Sequence, residues 1–165
     1  MSSQIIHERL ASAIDQWVNK FPKGEQKSAT LMALRLVQEE YRWLEQPHLD
    51  AVAEYLKLPK IDVYEVASFY SMYQHQPVGK HLVKVCTSLS CCLNGAYGVV
   101  EYLEGKLNIQ CGQTTKDGRI TLQETECLAA CAGAPAICVD DKFYHENVTA
   151  QTIEKMIRPL IEEGA

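Results

Sequence analysis

The chain has seven cysteines, more chemical potential than any other side-chain type here offers, and all seven lie between Cys86 and Cys138. Four of them form two close pairs, Cys86-x4-Cys91 and Cys127-x3-Cys131. A binuclear iron–sulfur cluster needs four thiolates, two for each iron. With two ferric ions, two sulfides and four thiolates it is formally dianionic, so it also needs backbone N–H groups aimed at its sulfurs. Small residues let the backbone come close enough to supply them. Gly95 and Gly98 follow the first pair, and Ala129, Ala130, Ala132 and Gly133 surround the second. A structural zinc site is the alternative, because zinc accepts pairs separated by two to four residues. The commonest zinc knuckle is tighter and repeats one spacing in both halves, which these pairs do not. A thioredoxin-type disulfide enzyme would carry Cys-x-x-Cys, and the sequence has none. Of the other three, Cys138 reads as a small buried hydrophobe inside an apolar run. Cys111 precedes a glycine in a loop, and Cys92 stays open as a substitute for Cys91 in an x5 pair.

Elements that would position these thiolates follow from the apolar periodicity. His81–Val85 is β-prone and runs into Cys86, while Ile120 and Leu122 alternate with Thr121 and Gln123 in a half-buried strand leading to Cys127. Asn94–Glu104 reads as a helix with Gly105 as its C-terminal cap. Ala136–Val139 is a buried strand, Asp140-Asp141 a turn into Lys142–Tyr144, and Thr149–Ile161 a closing amphipathic helix. Strand, helix, strand, strand, helix predicts a compact domain in which helices cover a small sheet. The cysteine-free part is helical. Its apolar stripes are Ile6, Leu10, Ile14, Trp17, Val18 and Phe21, then Leu31, Leu34, Val37 and Tyr41, then Leu49, Val52, Ala53 and Leu56. A fourth helix is expected to start at Asp62, with Glu65 completing a capping box. The fold class is therefore α+β, with a helical bundle over residues 1–75 and a cysteine-bearing domain over 76–165.

Composition narrows the function. A net charge of −5 argues against a nucleic-acid binder. Lys and Arg number nine against ten Asp and Glu before residue 81, and seven against eleven after it, so neither half is basic. Residues 61–73 imitate a recognition helix but hold no Lys or Arg to meet phosphates. No apolar stretch approaches the length of a membrane span, and direct membrane insertion is not expected. Met1–Arg9 has the pattern of neither a secretory nor a transit segment, so a cytoplasmic location is expected and a disulfide framework is not. No Gly-x-Gly-x-x-Gly follows a strand, so nicotinamide and flavin must be bound elsewhere. His81, His145 and Glu126 show no pairing that would make them acid–base residues, so no catalytic residue is expected in the isolated chain.

Several motifs in order resemble one family. Val66-Ala-Ser-Phe69-Tyr70, Gln76-Pro77-Val78-Gly79 and Cys86-Thr-Ser-Leu-Ser-Cys91 with Asn94-Gly95 come first. Gly112-Gln-Thr-Thr-Lys-Asp117-Gly118, Glu126-Cys-Leu-Ala-Ala-Cys131 and Ala134-Pro135 follow. From about Leu31 to the C-terminus the chain is similar to the E subunits of bacterial NADH–quinone oxidoreductase (respiratory complex I) and to their mitochondrial [2Fe–2S] counterparts. The resemblance implies a thioredoxin-like ferredoxin domain behind a helical bundle, and one [2Fe–2S] cluster on Cys86, Cys91, Cys127 and Cys131. The place of Gly95 in the family pattern selects Cys91 over Cys92. The resemblance also implies electron exchange with FMN in an NADH-binding flavoprotein partner, further peripheral-arm partners, and a position on the inner face of the cell membrane reached through the complex. Related subunits serve NAD-linked hydrogenases and formate dehydrogenases. One departure is Ala129, where the family commonly has glycine. If the loop requires a positive φ there, alanine is strained by about 1 kcal/mol.

Overall fold

A computed structural model of the chain describes residues 5–162. It divides into two compact units, Met1–Pro77 and Val78–Ala165. In the first unit, α1 (Glu8–Val18), a 3-10 turn (Gln26–Ala29), α2 (Thr30–Tyr41), α3 (Gln46–Leu56) and α4 (Lys60–Phe69) follow one another. Their stripes follow the predicted periodicity except that Trp17 and Phe21 stay outside the core. Phe21 lies past the end of α1, and Trp17 lies under the Lys20 ammonium. Ile14, Leu34, Val37, Val52 and Val63 are fully buried together. Gly24, at φ 96°, turns the chain after α1.

The capping box lies at a different helix from the one expected. At α3 the Glu45 N–H donates to His48 Nδ1 at 3.0 Å. At α4 the cap is Pro59, so the helix begins at Lys60 and Asp62 falls inside its first turn. Proline fixes φ for helix entry, and that decides the start ahead of any acidic side chain downstream. Asp62 still complements the positive end of the helix, and its carboxylate pairs with Lys27 at 3.0 Å.

The second unit is built on a four-stranded mixed sheet in the order β2-β1-β3-β4. β1 (His81–Cys86) runs parallel to β2 (Ile120–Thr125), with α5 (Leu89–Leu93) and α6 (Ala96–Leu107) in the crossover between them. β3 (Ile137–Val139) is antiparallel to β1, and β4 (Phe143–His145) is antiparallel to β3. α7 (Ala150–Glu162) closes the chain, its first turn capped by reciprocal Thr149 and Thr152 bonds. Val83, Val85, Ile120, Leu122, Ile137 and Val139 share one sheet face and pack with Leu103, Ile153 and Ile157 of the two long helices.

The opposite face carries Lys84, whose Nζ donates to both oxygens of Asp141 at 2.7 and 3.0 Å. Asp140 and Asp141 both take φ 54°, the left-handed pair that a tight hairpin demands. Asp140 also accepts from the Leu82 N–H, so the hairpin turn is tied to β1. Gly79 has a steric reason: a Cβ there would lie 2.9 Å from the Arg119–Ile120 backbone. α6 does not end at Gly105, as the glycine suggested. It runs to Leu107 because Leu107 and Ile109 pack on the core, and Asn108 takes the left-handed cap at φ 52°.

Candidate metal centre

β1 ends on Cys86 itself, whose N–H still belongs to the sheet and donates to Ala136 C=O at 3.0 Å. Two residues later Ser88 starts α5, a single turn that carries Cys91 back toward Cys86. Gly95, at φ 89°, then breaks the helix and starts α6 in a new direction, where the sequence suggested one helix from Asn94. The second pair leaves the end of β2. Cys127 follows Thr125 by two residues, and Cys131 opens a short 3-10 turn. Ser90 Oγ donates to the Cys131 C=O at 3.4 Å and links the two cysteine loops.

The two pairs have different surroundings. Cys86 and Cys91 are each 2% exposed and pack with Ala96 and Ala136, while Cys127 and Cys131 are exposed. Cys127 and Cys131 place their sulfurs 3.9 Å apart. Two thiolates on one tetrahedral metal, each at about 2.3 Å, are separated by about 3.8 Å. Among the described residues no three or more His, Cys, Asp or Glu side chains are grouped as a single-ion site. By contact the sulfurs fall into two pairs, Cys86 with Cys91 and Cys127 with Cys131.

Backbone donors supply the compensation that a dianionic group needs. The Ala129 N–H donates to Cys127 Sγ at 3.3 Å. Burial pushes the Cys86 thiol up, yet N–H groups of Leu128 and Ser88, the Ser88 hydroxyl and the Cys91 thiol together bring it below its ordinary value. Burial pushes Cys91 up, opposed by the Ala136 N–H and reinforced by its bond and charge repulsion with Cys86. Cys131 is raised chiefly by its bond to Cys127 and the neighbouring charge. Adjacent thiolates repel, and a bound cation relieves that repulsion and favours all four anions. The donor set therefore fits a [2Fe–2S] cluster: four thiolates in two pairs, with N–H groups from both loops.

The remaining cysteines lie apart from these contacts. Cys92 is half-buried on α5, and its N–H continues the helix to Ser88 C=O. Cys111 points its sulfur at the Leu122 C=O at 3.9 Å. Cys138 is 1% exposed on the sheet face of Lys84. Burial and the Asp141 charge raise its thiol. Sequence reasoning missed Ser90. Its place inside the x4 loop was a signal, but only geometry shows that its hydroxyl reaches the Cys131 carbonyl.

Ala129 takes φ 58°, so the loop does require the left-handed conformation. Alanine there is strained by roughly 1–2 kcal/mol, whereas glycine would add about 0.4–1 kcal/mol of unfolded-chain entropy. Strain wins. Ala129→Gly is expected to stabilise the second unit by about 0.5 kcal/mol in urea unfolding of the apoprotein. A destabilised Ala129→Gly chain would mean that the methyl group contributes packing that outweighs the strain.

A family model described as "Thioredoxin-like [2Fe-2S] ferredoxin" matches residues 14–160. The E subunit of the Rickettsia felis NADH-quinone oxidoreductase is 40% identical over 141 residues, 85% of this chain and 84% of the relative. The mitochondrial NADH dehydrogenase [ubiquinone] flavoprotein 2 of Dictyostelium discoideum is 37% identical over 141 residues, and this chain spans 57% of its length. A crystal structure of an NAD+-reducing [NiFe]-hydrogenase, air-oxidised, superposes with a TM-score of 0.70 at 22% identity. That match covers 82% of this chain and 23% of the hydrogenase chain, and it speaks to the fold alone.

Proposed function

Since the chain belongs to the thioredoxin-like [2Fe–2S] ferredoxin family, we propose that Cys86 and Cys91 hold one iron of its cluster and Cys127 and Cys131 the other. The chain is an electron-carrying subunit of an NADH–quinone oxidoreductase, as its relatives of matching length are named. The observation that carries this function is that the two cysteine loops meet, tied by the Ser90–Cys131 hydrogen bond, with Cys127 and Cys131 paired under the Ala129 N–H. When bound, the cluster supplies a site for one electron at a time. The chain's own residues hold it: β1 and β2 deliver the loops, Ala96 and Ala136 keep water from the inner pair, and the exposed pair faces a donor. That exposure is the feature an electron carrier needs and a structural zinc site does not.

The donor, on this proposal, is FMN in an NADH-binding flavoprotein subunit. Among the described residues no helix is long and apolar enough to cross a membrane, and the complex supplies the place at the inner face of the cell membrane. Affinity capture of the full chain from native membranes is expected to bring down an NADH-oxidising flavoprotein together with quinone-reducing activity. Capture of a hydrogenase or formate dehydrogenase instead would transfer the same carrier role to that assembly.

We also propose a division of labour between the helical residues 1–75 and the cluster-bearing residues 76–165. The buried side chains of the first unit pack among themselves, and those of the second do the same. Tyr73 is buried with its hydroxyl on Leu31 C=O. Tyr41 and Tyr64 are likewise bonded within the bundle. Phe69, 78% exposed, and Tyr70, edge-on to it and to Tyr73, stand out at the end of α4 as aromatic anchors of the kind that protein interfaces favour. A chain beginning at Gln76 is expected to keep its [2Fe–2S] spectrum. It should bind the flavoprotein at least about tenfold more weakly, a loss of about 1.4 kcal/mol. Unchanged affinity in titrations would assign docking to the cluster-bearing half.

A further inference from the structure

The seven thiols differ in what they leave open to solution. Cys127 and Cys131 are exposed, and the other five are buried or half-buried. The two exposed sulfurs lie 3.9 Å apart. A disulfide bond is about 2.04 Å long, so they need to close by only about 1.9 Å. The loop between them is three residues, Leu128, Ala129 and Ala130, two of which carry nothing beyond a methyl group. The inner pair is shut away: Cys86 and Cys91 are each 2% exposed. A dissolved oxidant therefore meets one pair of cysteines and not the other.

We infer that Cys127 and Cys131 form a modification site in the cluster-free chain, closing to a disulfide at the expense of a low-molecular-weight disulfide and blocking cluster loading until reduced. The bond itself rests on the geometry of the two sulfurs, and the block rests on the four-cysteine assignment above. One exposed thiolate attacks the oxidant's S–S bond, forms a mixed disulfide and releases a first small thiol. The second exposed thiolate then attacks the protein sulfur of that mixed disulfide, forms the Cys127–Cys131 bond and releases a second small thiol. In all, the protein thiols lose two electrons and two protons, and one oxidant molecule becomes two thiols. With the resolving sulfur already 3.9 Å away, the second step is unimolecular and favoured by proximity. The closed pair offers no thiolate, so one iron of the proposed cluster loses both of its protein ligands. Excess thiol runs the same exchange backwards and reopens the site.

The test treats the full chain, reduced and freed of cluster, with glutathione disulfide in the absence of air. Peptide mapping is expected to find a Cys127–Cys131 bond, the chain lighter by two hydrogen atoms, and Cys86 and Cys91 as free thiols. Cys131→Ser, which removes the resolving sulfur, should stop at a glutathione mixed disulfide on Cys127. The initial rate of cluster assembly from ferrous iron and limiting sulfide should fall at least about tenfold in the oxidised chain and recover after treatment with dithiothreitol. Thiols left untouched, a bond between other cysteines, or a mixed disulfide that never closes in the unsubstituted chain overturns the inference. So does a Cys127–Cys131 bond that leaves assembly at its untreated rate. Absence of a two-iron cluster from the reduced, reconstituted chain would instead overturn the four-cysteine assignment and leave the mapped disulfide standing.

Discussion

Serine in place of Cys86, Cys91, Cys127 or Cys131 is expected to abolish or severely deplete the cluster, with iron and acid-labile sulfide falling together. On the proposed assignment each sulfur is half of one iron's protein coordination, and a hydroxyl is a far poorer ligand than a thiolate. The inner pair should suffer most. Cys86 and Cys91 are buried, so an unligated hydroxyl there is also cut off from water. Serine at Cys92 or Cys111 should leave iron content unchanged. Serine at Cys138 should also retain iron but cost about 1 kcal/mol of stability, because its site is almost fully buried. Iron lost in Cys92→Ser and retained in Cys91→Ser would reverse the assignment of the first pair.

The second large effect is kinetic. NADH should not measurably reduce the isolated chain, and adding the flavoprotein should raise the rate by at least about 10³, since positioning a donor beside its acceptor is worth more than that in oriented reactions. Hydride carries two electrons, whereas the cluster takes one. A flavin divides the pair, and the sequence holds no Gly-x-Gly-x-x-Gly loop. Stopped-flow bleaching with and without the flavoprotein measures the ratio. Fast reduction without flavin would mean that the chain binds NADH itself.

What the sequence made legible was whatever depends on local pattern. The stripe Leu10, Ile14 and Val18 marks α1 because burial on a helix recurs every three or four residues. Asp140-Asp141 reads as a turn because two polar residues separate two β-prone runs. Ala129 was legible through one missing glycine, and its φ of 58° bears that out. Where two local signals competed, the pattern alone could not decide. Asp62 looked like a cap, but Pro59 sets the helix start. Gly105 looked like a stop, but the burial of Leu107 carries α6 past it to Asn108.

The geometry of the centre was less accessible still. α5 has five residues, too few for a period to show, and Gly95 separates it from α6. Nor does residue type reveal which backbone N–H faces a sulfur. The Ala129 amide serves Cys127 Sγ, and the Ser90 hydroxyl bonds the Cys131 carbonyl of the other loop. The second contact arises only when β1 and β2 bring the two loops side by side.

The most direct test of the account is the metal itself. Protein purified anaerobically should contain about two iron and two acid-labile sulfides per chain. It should be red-brown and should bleach with dithionite to a paramagnetic state that takes up one electron. One zinc per chain, with no sulfide and no visible colour, would contradict it and make these four cysteines a structural zinc site.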